Sequence, residues 1–137
     1  MSPDATRYVR SITRAEELAA TAPEGVRTAA LGGEGLKAAC EDADIVVNTT
    51  SAGMSPNVDE LPLGIDASWL PAGSIASDIV YNPMKTRFLA EAERKGVRIH
   101  GGLGMFVYQG AYAFEYWTGR PAPTGAMRET VIRALGL

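Results

Sequence analysis

Four short segments of the 137-residue sequence combine residue types that could bind a ligand. They are "RSITR" at 10–14, "NTTSAGM" at 48–54, "DIVYNP" at 78–83 and "HGGLGM" at 100–105. Each follows a run of β-branched or aliphatic residues that predicts a strand. In an open parallel sheet, ligands bind beyond the carboxyl ends of the strands. The four segments therefore predict one ligand site along a single edge of a sheet.

The first segment has side chains suited to a phosphate group. The arginine guanidinium offers paired N–H donors, and a serine hydroxyl adds another donor. After the first strand of a dinucleotide-binding sheet, an arginine suits the 2′-phosphate of NADP, whereas NAD requires an acidic residue. Arg10, Ser11 and Arg14 could equally form a solvated, charged face. Their position after a strand favours phosphate binding.

The glycines at 101, 102 and 104 allow two interpretations. They could let the backbone approach a flat ligand ring closely, next to the N–H groups of a helix terminus. They could also form a tight strand-to-helix turn that requires positive φ angles. For an isolated glycine cluster, the second interpretation is the more common one.

Gln109 stands in an apolar segment that predicts a buried helix over 105–118, with the aromatic residues Phe106, Phe114 and Trp117 in the core. Burying a glutamine amide without a partner costs about 1–3 kcal/mol. We therefore expect the Gln109 amide either to bond a nearby backbone group or to reach into a cleft and bind a polar ligand.

The segment at 78–83 is interpreted from its residues alone as structural. An aspartate at a strand end often orders a turn or caps a helix, and Asn-Pro favours a turn. Asp78 and Asn82 fit these roles, and Tyr81 between them either packs or offers its hydroxyl group to a ligand.

Strand and helix patterns alternate along the chain. Strands are predicted over 7–12, 26–31, 44–50, 73–81 and 97–100, and helices over 13–22, 33–43, 83–96, 105–118 and 124–136. Thr13 and Thr124 are the predicted caps of the first and last helices, and Pro83 is the predicted first residue of the third. This alternation predicts one α/β domain over 1–137, a partial Rossmann-like parallel sheet with helices on both faces in three αβα layers.

Composition and charge argue against several classes of function. Thirteen basic and sixteen acidic residues give a net charge of −3 without a basic run, which disfavours nucleic acid or a membrane as a partner. A single cysteine, Cys40, and a single histidine, His100, argue against a disulfide framework and a metal site. The first ten residues lack the apolar stretch of a signal peptide, so we expect a cytoplasmic protein.

Taken together, these segments resemble the carboxyl-terminal half of the shikimate dehydrogenase family. Three family motifs are similar to "NTTSAGM" at 48–54, "DIVYNPMKT" at 78–86 and "GGLGMFVYQGAYAFEYWTG" at 101–119, and a fourth, weaker one to "RSITRAEELA" at 10–19. Gly101 stands where the family usually has an aspartate, and Val9 where it has an asparagine. The resemblance covers nearly the whole chain in the family's order.

The resemblance implies an NADP-dependent enzyme that interconverts 3-dehydroshikimate and shikimate by hydride transfer, in the shikimate pathway of chorismate and aromatic amino-acid biosynthesis. It implies 2′-phosphate contacts from Arg10, Ser11 and Arg14. It further implies contacts along the cofactor from Thr50 and Ser51, and at the nicotinamide from Ile79, Gly102 and Met105. Tyr81 and Gln109 would reach toward shikimate.

Two parts of the family pattern have no counterpart in these 137 residues: the first βα unit with its glycine-rich turn, and the amino-terminal substrate domain that supplies the lysine and aspartate for proton transfer. We therefore expect a fragment without a catalytic residue that is inactive by itself. Because a missing strand leaves backbone groups unpaired, we also expect self-association or pairing with a separate amino-terminal half. Two alternatives stay open: a non-catalytic nucleotide-binding or interaction module, and a dehydrogenase of quinate or another cyclic polyol.

Overall fold

Strands and helices alternate along the chain. The computed structural model describes residues 5–9, 12–22, 24–30, 33–62 and 64–136. The strands are β1 (Ala5–Val9), β2 (Val26–Ala30), β3 (Ile45–Asn48), β4 (Ile75–Asp78) and β5 (Arg98–His100). The helices are α1 (Ile12–Ala19), α2 (Glu34–Glu41), α3 (Arg87–Arg94), α4 (Leu103–Thr118) and α5 (Thr124–Leu135), with a short 3₁₀ helix at Ala67–Trp69.

All strand pairing in the described residues is parallel, which confirms the predicted α/β fold class. The strands form two sheets rather than one: β1 pairs with β2, and β3, β4 and β5 form a second sheet in that order. In the larger sheet, Val46 of β3 lies opposite Ala76 of β4, which lies opposite Ile99 of β5. Within the described parts of the chain, no strand joins β1 to β3.

One face of the larger sheet packs on the hydrophobic core. Ala76 of β4 is fully buried, and Val46 and Ile99 beside it pack on the same cluster. Helices cover this face with the buried residues Leu36 and Cys40 of α2 and Phe88, Leu89 and Ala92 of α3. Burial of this face fixes the carboxyl ends of β3 and β4 beside the first turn of α3.

The third helix begins four residues later than predicted, at Arg87 instead of Pro83. Thr86 is its N-cap, because its hydroxyl oxygen accepts a hydrogen bond from the backbone N–H of Leu89 at 3.4 Å. A capping side chain accepts a hydrogen bond from a free backbone N–H group at the helix start. The Pro83 side chain has no acceptor atom for such a bond. Gly96, with φ of 80°, follows the end of the helix as predicted.

The two predicted threonine caps, Thr13 and Thr124, are wrong. Helix α1 already begins at Ile12, so Thr13 lies inside its first turn. Pro123 occupies the cap position of α5, and Thr124 is the first helical residue. The helix begins two residues earlier than a Thr13 cap would place it, and one residue earlier than a Thr124 cap would place it.

Helix α4 is not the buried helix that its composition predicted. Only Leu103, Val107 and Ala111 are buried, and four large aromatic residues on it are exposed: Tyr108, Tyr112, Tyr116 and Trp117. Trp117, which we expected in the core, is 79% exposed. Phe106 and Phe114 are half-buried. None of the helices in the described part of the chain combines the length and apolar character that crossing a membrane requires.

Cys40 provides a test of the packed core. Its side chain is 3% exposed within the core, and burial, together with the neighbouring Glu41 carboxylate, raises the pKa of the thiol. We expect native Cys40 to react with Ellman's reagent at neutral pH at least about tenfold more slowly than in concentrated urea. Equal rates in the two conditions would show that α2 does not pack as described.

Candidate functional site

A buried carboxylate joins the carboxyl ends of β3 and β4 to the start of α3. Asp78 accepts hydrogen bonds from the Asn48 amide at 3.1 Å and from the Val80 backbone N–H at 3.0 Å through one oxygen. Its other oxygen accepts from the Thr86 hydroxyl at 2.7 Å. Asp78, Asn48 and Thr86 are all buried, at 1%, 3% and 0% exposure. The structural interpretation of Asp78 is therefore confirmed.

The same network holds the loop that follows β3. The Thr50 hydroxyl donates to the Asn48 side-chain oxygen at 2.7 Å, and accepts from the Ala52 backbone N–H at 3.2 Å. The Thr50 backbone N–H bonds the same Asn48 oxygen at 3.0 Å. Ser51, the next residue, is exposed. The loop therefore has a fixed path, with Ser51 on its accessible side.

Gly102 lies against the end of β4. A Cβ atom at this position would stand 2.1 Å from the Ile79 carbonyl oxygen and 2.7 Å from that of Val80. Its N–H donates to the Val80 carbonyl at 3.2 Å, and the Ile79 N–H donates to the Asn48 carbonyl at 3.1 Å. These bonds bring the ends of β3 and β4 and the start of α4 together.

The expectation that the glycine cluster needs positive φ angles is wrong. Gly102 has φ of −75°, and neither Gly101 nor Gly104 is among the positive-φ glycines of the described residues. Glycine is required at position 102 because the chain's own backbone lies too close to leave room for a side chain. At Gly104 no atom lies within 4 Å of an added Cβ, so this side of the helix start is open.

Tyr81 is positioned by a residue that the sequence did not single out for the site. Its ring stacks on Phe106 of α4, with ring centroids 3.9 Å apart and 16° between the planes. Both residues are half-buried. Aromatic contacts of this kind contribute about 0.5–1.5 kcal/mol beyond area burial. Spacing alone could not reveal Phe106, because the contact joins a loop to a helix 25 residues away.

Met105 and Gln109 lie on the accessible surface of α4. Met105 is 46% exposed, and Gln109 is exposed rather than buried, so that part of the prediction is wrong. The apolar composition of helix α4 failed to predict the exposure of Gln109 because this helix is covered on only one side. No hydrogen bond is found for the Gln109 side chain within the described residues. Its amide is available to a polar ligand.

The predicted phosphate-binding residues are only partly described. Arg10 and Ser11 lie outside the described residues. Arg14 lies on α1 with an exposed side chain, and no ion pair to it is found in the part of the chain that the structure describes. Within the described residues, no hydrogen bond joins Arg14 to the ends of β3 and β4 either.

The polar groups described at this edge can bind and orient a ligand. Asp78 has its carboxylate bonded on both oxygens. Ser77 and His100 are 3.1 Å apart on the face of the sheet, without a carboxylate bonded to the histidine. In the described residues, no three histidine, cysteine or acidic side chains are grouped to hold a metal ion.

Comparison with solved structures identifies proteins with a similar fold. A solved structure of shikimate 5-dehydrogenase from Thermus thermophilus, in complex with NADP(H) and shikimate, matches with a TM-score of 0.79 and 34% identity over 98% of this chain and 47% of that one. Quinate dehydrogenase from Corynebacterium glutamicum in complex with NAD matches with a TM-score of 0.80 and 28% identity, over 93% of this chain and 45% of that one. The fold is therefore a Rossmann-like α/β domain.

Sequence comparison finds more specific relatives within this class of fold. Residues 102–132 match the family model of the shikimate 5′-dehydrogenase C-terminal domain. Shikimate dehydrogenase (NADP(+)) of Bacillus cereus strain AH187 is 44% identical over 127 residues, which are 93% of this chain and 45% of that protein. These matches confirm the resemblance to shikimate dehydrogenases, specifically to their carboxyl-terminal part. The chain spans about half the length of the relatives it matches.

The contact of Gly102 with β4 predicts different outcomes for two glycine substitutions on the same helix. Gly102→Ala should lower the free energy of unfolding by about 1–3 kcal/mol, because the new methyl group overlaps the Ile79 carbonyl. Gly110→Ala is the matched control: it meets no atom within 4 Å and should stabilise α4 by up to about 1 kcal/mol. Urea unfolding followed by circular dichroism measures both, and equal effects would contradict the contact.

The Asp78 network predicts a cost for removing one hydroxyl group. Thr86→Val keeps the side-chain shape but leaves one Asp78 oxygen and the Leu89 N–H without a partner. The free energy of unfolding should fall by about 1–3 kcal/mol. Thr130→Val, which removes an exposed hydroxyl on α5, should change it by less than about 0.5 kcal/mol. A Thr86→Val variant as stable as Thr130→Val in urea unfolding would refute the network.

Proposed function

We propose that this chain provides the cofactor-binding half of an NADP-dependent shikimate dehydrogenase, an oxidoreductase that interconverts 3-dehydroshikimate and shikimate. The observation that carries the proposal is the convergence of three family-like segments at one sheet edge. The ends of β3 and β4 and the start of α4 are tied there by the Ile79–Asn48 and Gly102–Val80 hydrogen bonds. Parallel α/β sheets bind dinucleotides at such an edge.

In this proposal, the cofactor is contacted mainly by backbone groups and apolar surface. Ile79, Gly102 and Met105 border the nicotinamide ring, and Gly104 leaves open space beside the helix start. Thr50 and Ser51 lie along the cofactor. Because the Thr50 hydroxyl is already bonded to Asn48 and Ala52, Thr50 acts chiefly by holding the loop. The exposed Ser51 hydroxyl, which has no hydrogen bond to another described residue, can donate to the cofactor.

The preference for NADP rests on Arg10, Ser11 and Arg14 after the first strand. The exposed Arg14 side chain is available to an anion, and guanidinium binds phosphate through paired donors. The Bacillus cereus relative is named as an NADP(+) enzyme. We assign the adenosine 2′-phosphate to this basic segment.

Shikimate is the substrate that the proposal assigns to Tyr81 and Gln109. Stacking on Phe106 restrains the Tyr81 ring, and the Gln109 amide, which has no hydrogen bond within the described part of the chain, can bond a ring hydroxyl. The Thermus thermophilus structure contains shikimate together with NADP(H). The hydride passes between cofactor and substrate, and this chain binds and orients both, while the proton-transfer group comes from elsewhere.

Quinate is the second candidate substrate, because the Corynebacterium glutamicum structure is a quinate dehydrogenase. That structure contains NAD, whereas the basic segment of this chain favours NADP. The expectations of one domain over 1–137, a cytoplasmic location and self-association remain predictions.

Calorimetric titration tests the cofactor assignment. The purified chain should bind NADP⁺ more tightly than NAD⁺, and Arg14→Ala should weaken NADP⁺ binding about tenfold, the loss of one charge-assisted hydrogen bond. Arg128→Ala on α5 is the matched control and should bind like the parent chain. Equal affinity for the two nucleotides, or an equal effect of both variants, would contradict the 2′-phosphate site.

The substrate assignment is tested in a single chain that joins the amino-terminal part of the Bacillus cereus relative to residues 1–137. Gln109→Ala should raise KM for shikimate about tenfold through loss of one hydrogen bond to the substrate, and leave KM for NADP⁺ unchanged. Tyr116→Phe, which removes an exposed hydroxyl on the same helix, is the control. If Gln109→Ala leaves KM for shikimate unaltered, Gln109 does not bind substrate.

A further inference from the structure

Three exposed methionines stand in the segments that meet at the proposed nucleotide-binding edge. Met54 is 45% exposed, Met84 is 42% exposed and Met105 is 46% exposed. The fourth methionine that the structure describes, Met127 of α5, is less accessible, with a half-buried side chain. Each of the three converging segments thus contributes one exposed thioether group.

Backbone contacts hold the methionine-bearing segments together. The N–H of Ser55, the residue after Met54, donates to the Asn82 carbonyl at 2.9 Å. The Met84 carbonyl oxygen lies 3.1 Å from the position that a Cβ atom on Gly101 would occupy, just before α4. The exposed methionines therefore stand in one region of the structure rather than in separate parts of the fold.

A solvent-exposed thioether can be oxidised by a peroxide. The sulfur lone pair forms a bond to one peroxide oxygen, the O–O bond breaks, and the other oxygen leaves as water with the proton of the transferred group. The sulfur loses two electrons and becomes a sulfoxide, while the peroxide is reduced. This product is polar and is returned to the thioether by methionine sulfoxide reductases. Oxidation therefore replaces an apolar contact surface reversibly by a hydrogen-bond acceptor.

Met105 differs from the other two exposed methionines in its position. It lies in the first turn of α4, next to Gly104, where no atom stands within 4 Å of an added Cβ. The proposed function places the nicotinamide ring against Met105. A cofactor bound there would shield the thioether from peroxide. Conversely, a sulfoxide would force the ring against a polar oxygen, whose burial without a partner is unfavourable.

We infer that Met105 is a reversible oxidation site that controls nucleotide binding at this edge. Peroxide converts the free chain into a sulfoxide form that binds NADP⁺ weakly, and bound NADP⁺ protects Met105 from oxidation. The inference rests on the proposed function, which brings the cofactor into contact with this residue. Met54 and Met84 are almost equally exposed but have no assigned cofactor contact, so they provide an internal comparison.

Peptide mass spectrometry after timed exposure to hydrogen peroxide tests the protection. Without nucleotide, Met54, Met84 and Met105 should be oxidised at rates within about threefold of one another, because their exposure is similar. Saturating NADP⁺ should slow oxidation of Met105 at least about fivefold and leave the rate at Met54 unchanged. If saturating NADP⁺ leaves the rate at Met105 unaltered, or slows all three residues equally, the inference is overturned.

Calorimetric titration before and after peroxide treatment tests the control of binding. Oxidation should weaken NADP⁺ binding about tenfold in the parent chain and in Met54→Leu, and sulfoxide reductases with a dithiol should restore the affinity. In Met105→Leu, whatever its own affinity, treated and untreated samples should bind alike. A parent chain that binds NADP⁺ equally well with Met105 fully oxidised contradicts the inference, as does a Met105→Leu variant that still loses affinity.

Two further comparisons keep the result decisive. If peroxide unfolds the chain, Met105→Gln replaces the sulfoxide by a polar side chain without oxidation, and it should bind NADP⁺ about tenfold more weakly than Met105→Leu. Equal affinity of these two variants overturns the inference. If the chain alone does not bind NADP⁺, the same measurements apply to the single-chain fusion. A folded fusion that binds no NADP⁺ overturns the proposed function, whereas one that binds NADP⁺ without protecting Met105 overturns the oxidation site alone.

Discussion

The Asp78 carboxylate is the constraint on which the rest of the sheet edge depends. A buried carboxylate is stable only when its oxygens are bonded, and the donors here come from three different segments: Asn48 at the end of β3, Val80 after β4 and Thr86 at the start of α3. Because all three donors must stay in place, the two strand ends and the helix terminus cannot move independently. The buried network thus fixes the positions from which the proposed ligand-binding groups project.

This rigidity extends outward through backbone contacts. The start of α4 contacts the end of β4 at Gly102, and the two backbones lie too close together for a side chain at this position. Helix α4 then presents Phe106 to Tyr81 and leaves Met105 and Gln109 accessible. The result is a layered arrangement: inner polar groups are satisfied by one another, and outer groups remain available to a ligand. A precise site on a parallel sheet needs both the inner and the outer groups, because the inner groups hold in position the groups that contact a ligand.

The sequence predicted much of the fold because its signals are local. Runs such as "DIVVN" and the amphipathic pattern of α3 determine element type within a few residues, and every predicted strand and helix has an observed counterpart. The predictions that failed concern features that depend on contacts between residues far apart in the sequence. Helix α3 begins after Thr86 and not at Pro83, because the Thr86 hydroxyl bonds the carboxylate of Asp78, which lies eight residues earlier in the sequence. Helix α4 is apolar enough for a core, but its exposure depends on what packs against it, so Gln109 and Trp117 were wrongly predicted to be buried. The sequence offered close approach to a ligand ring as one of two interpretations of the glycine cluster, and the fold shows that Gly102 approaches the chain's own backbone.

We propose that the ends of β3 and β4 and the start of α4 form one nucleotide-binding edge. Amide chemical shifts recorded during titration of the folded chain with NADP⁺ test this most directly, because they locate binding by residue. We expect saturable shifts concentrated at Ser51, Ile79, Gly102 and Met105, with little change in α5. Saturable shifts located elsewhere, or a folded chain that shows no shifts at high NADP⁺ concentration, would contradict it.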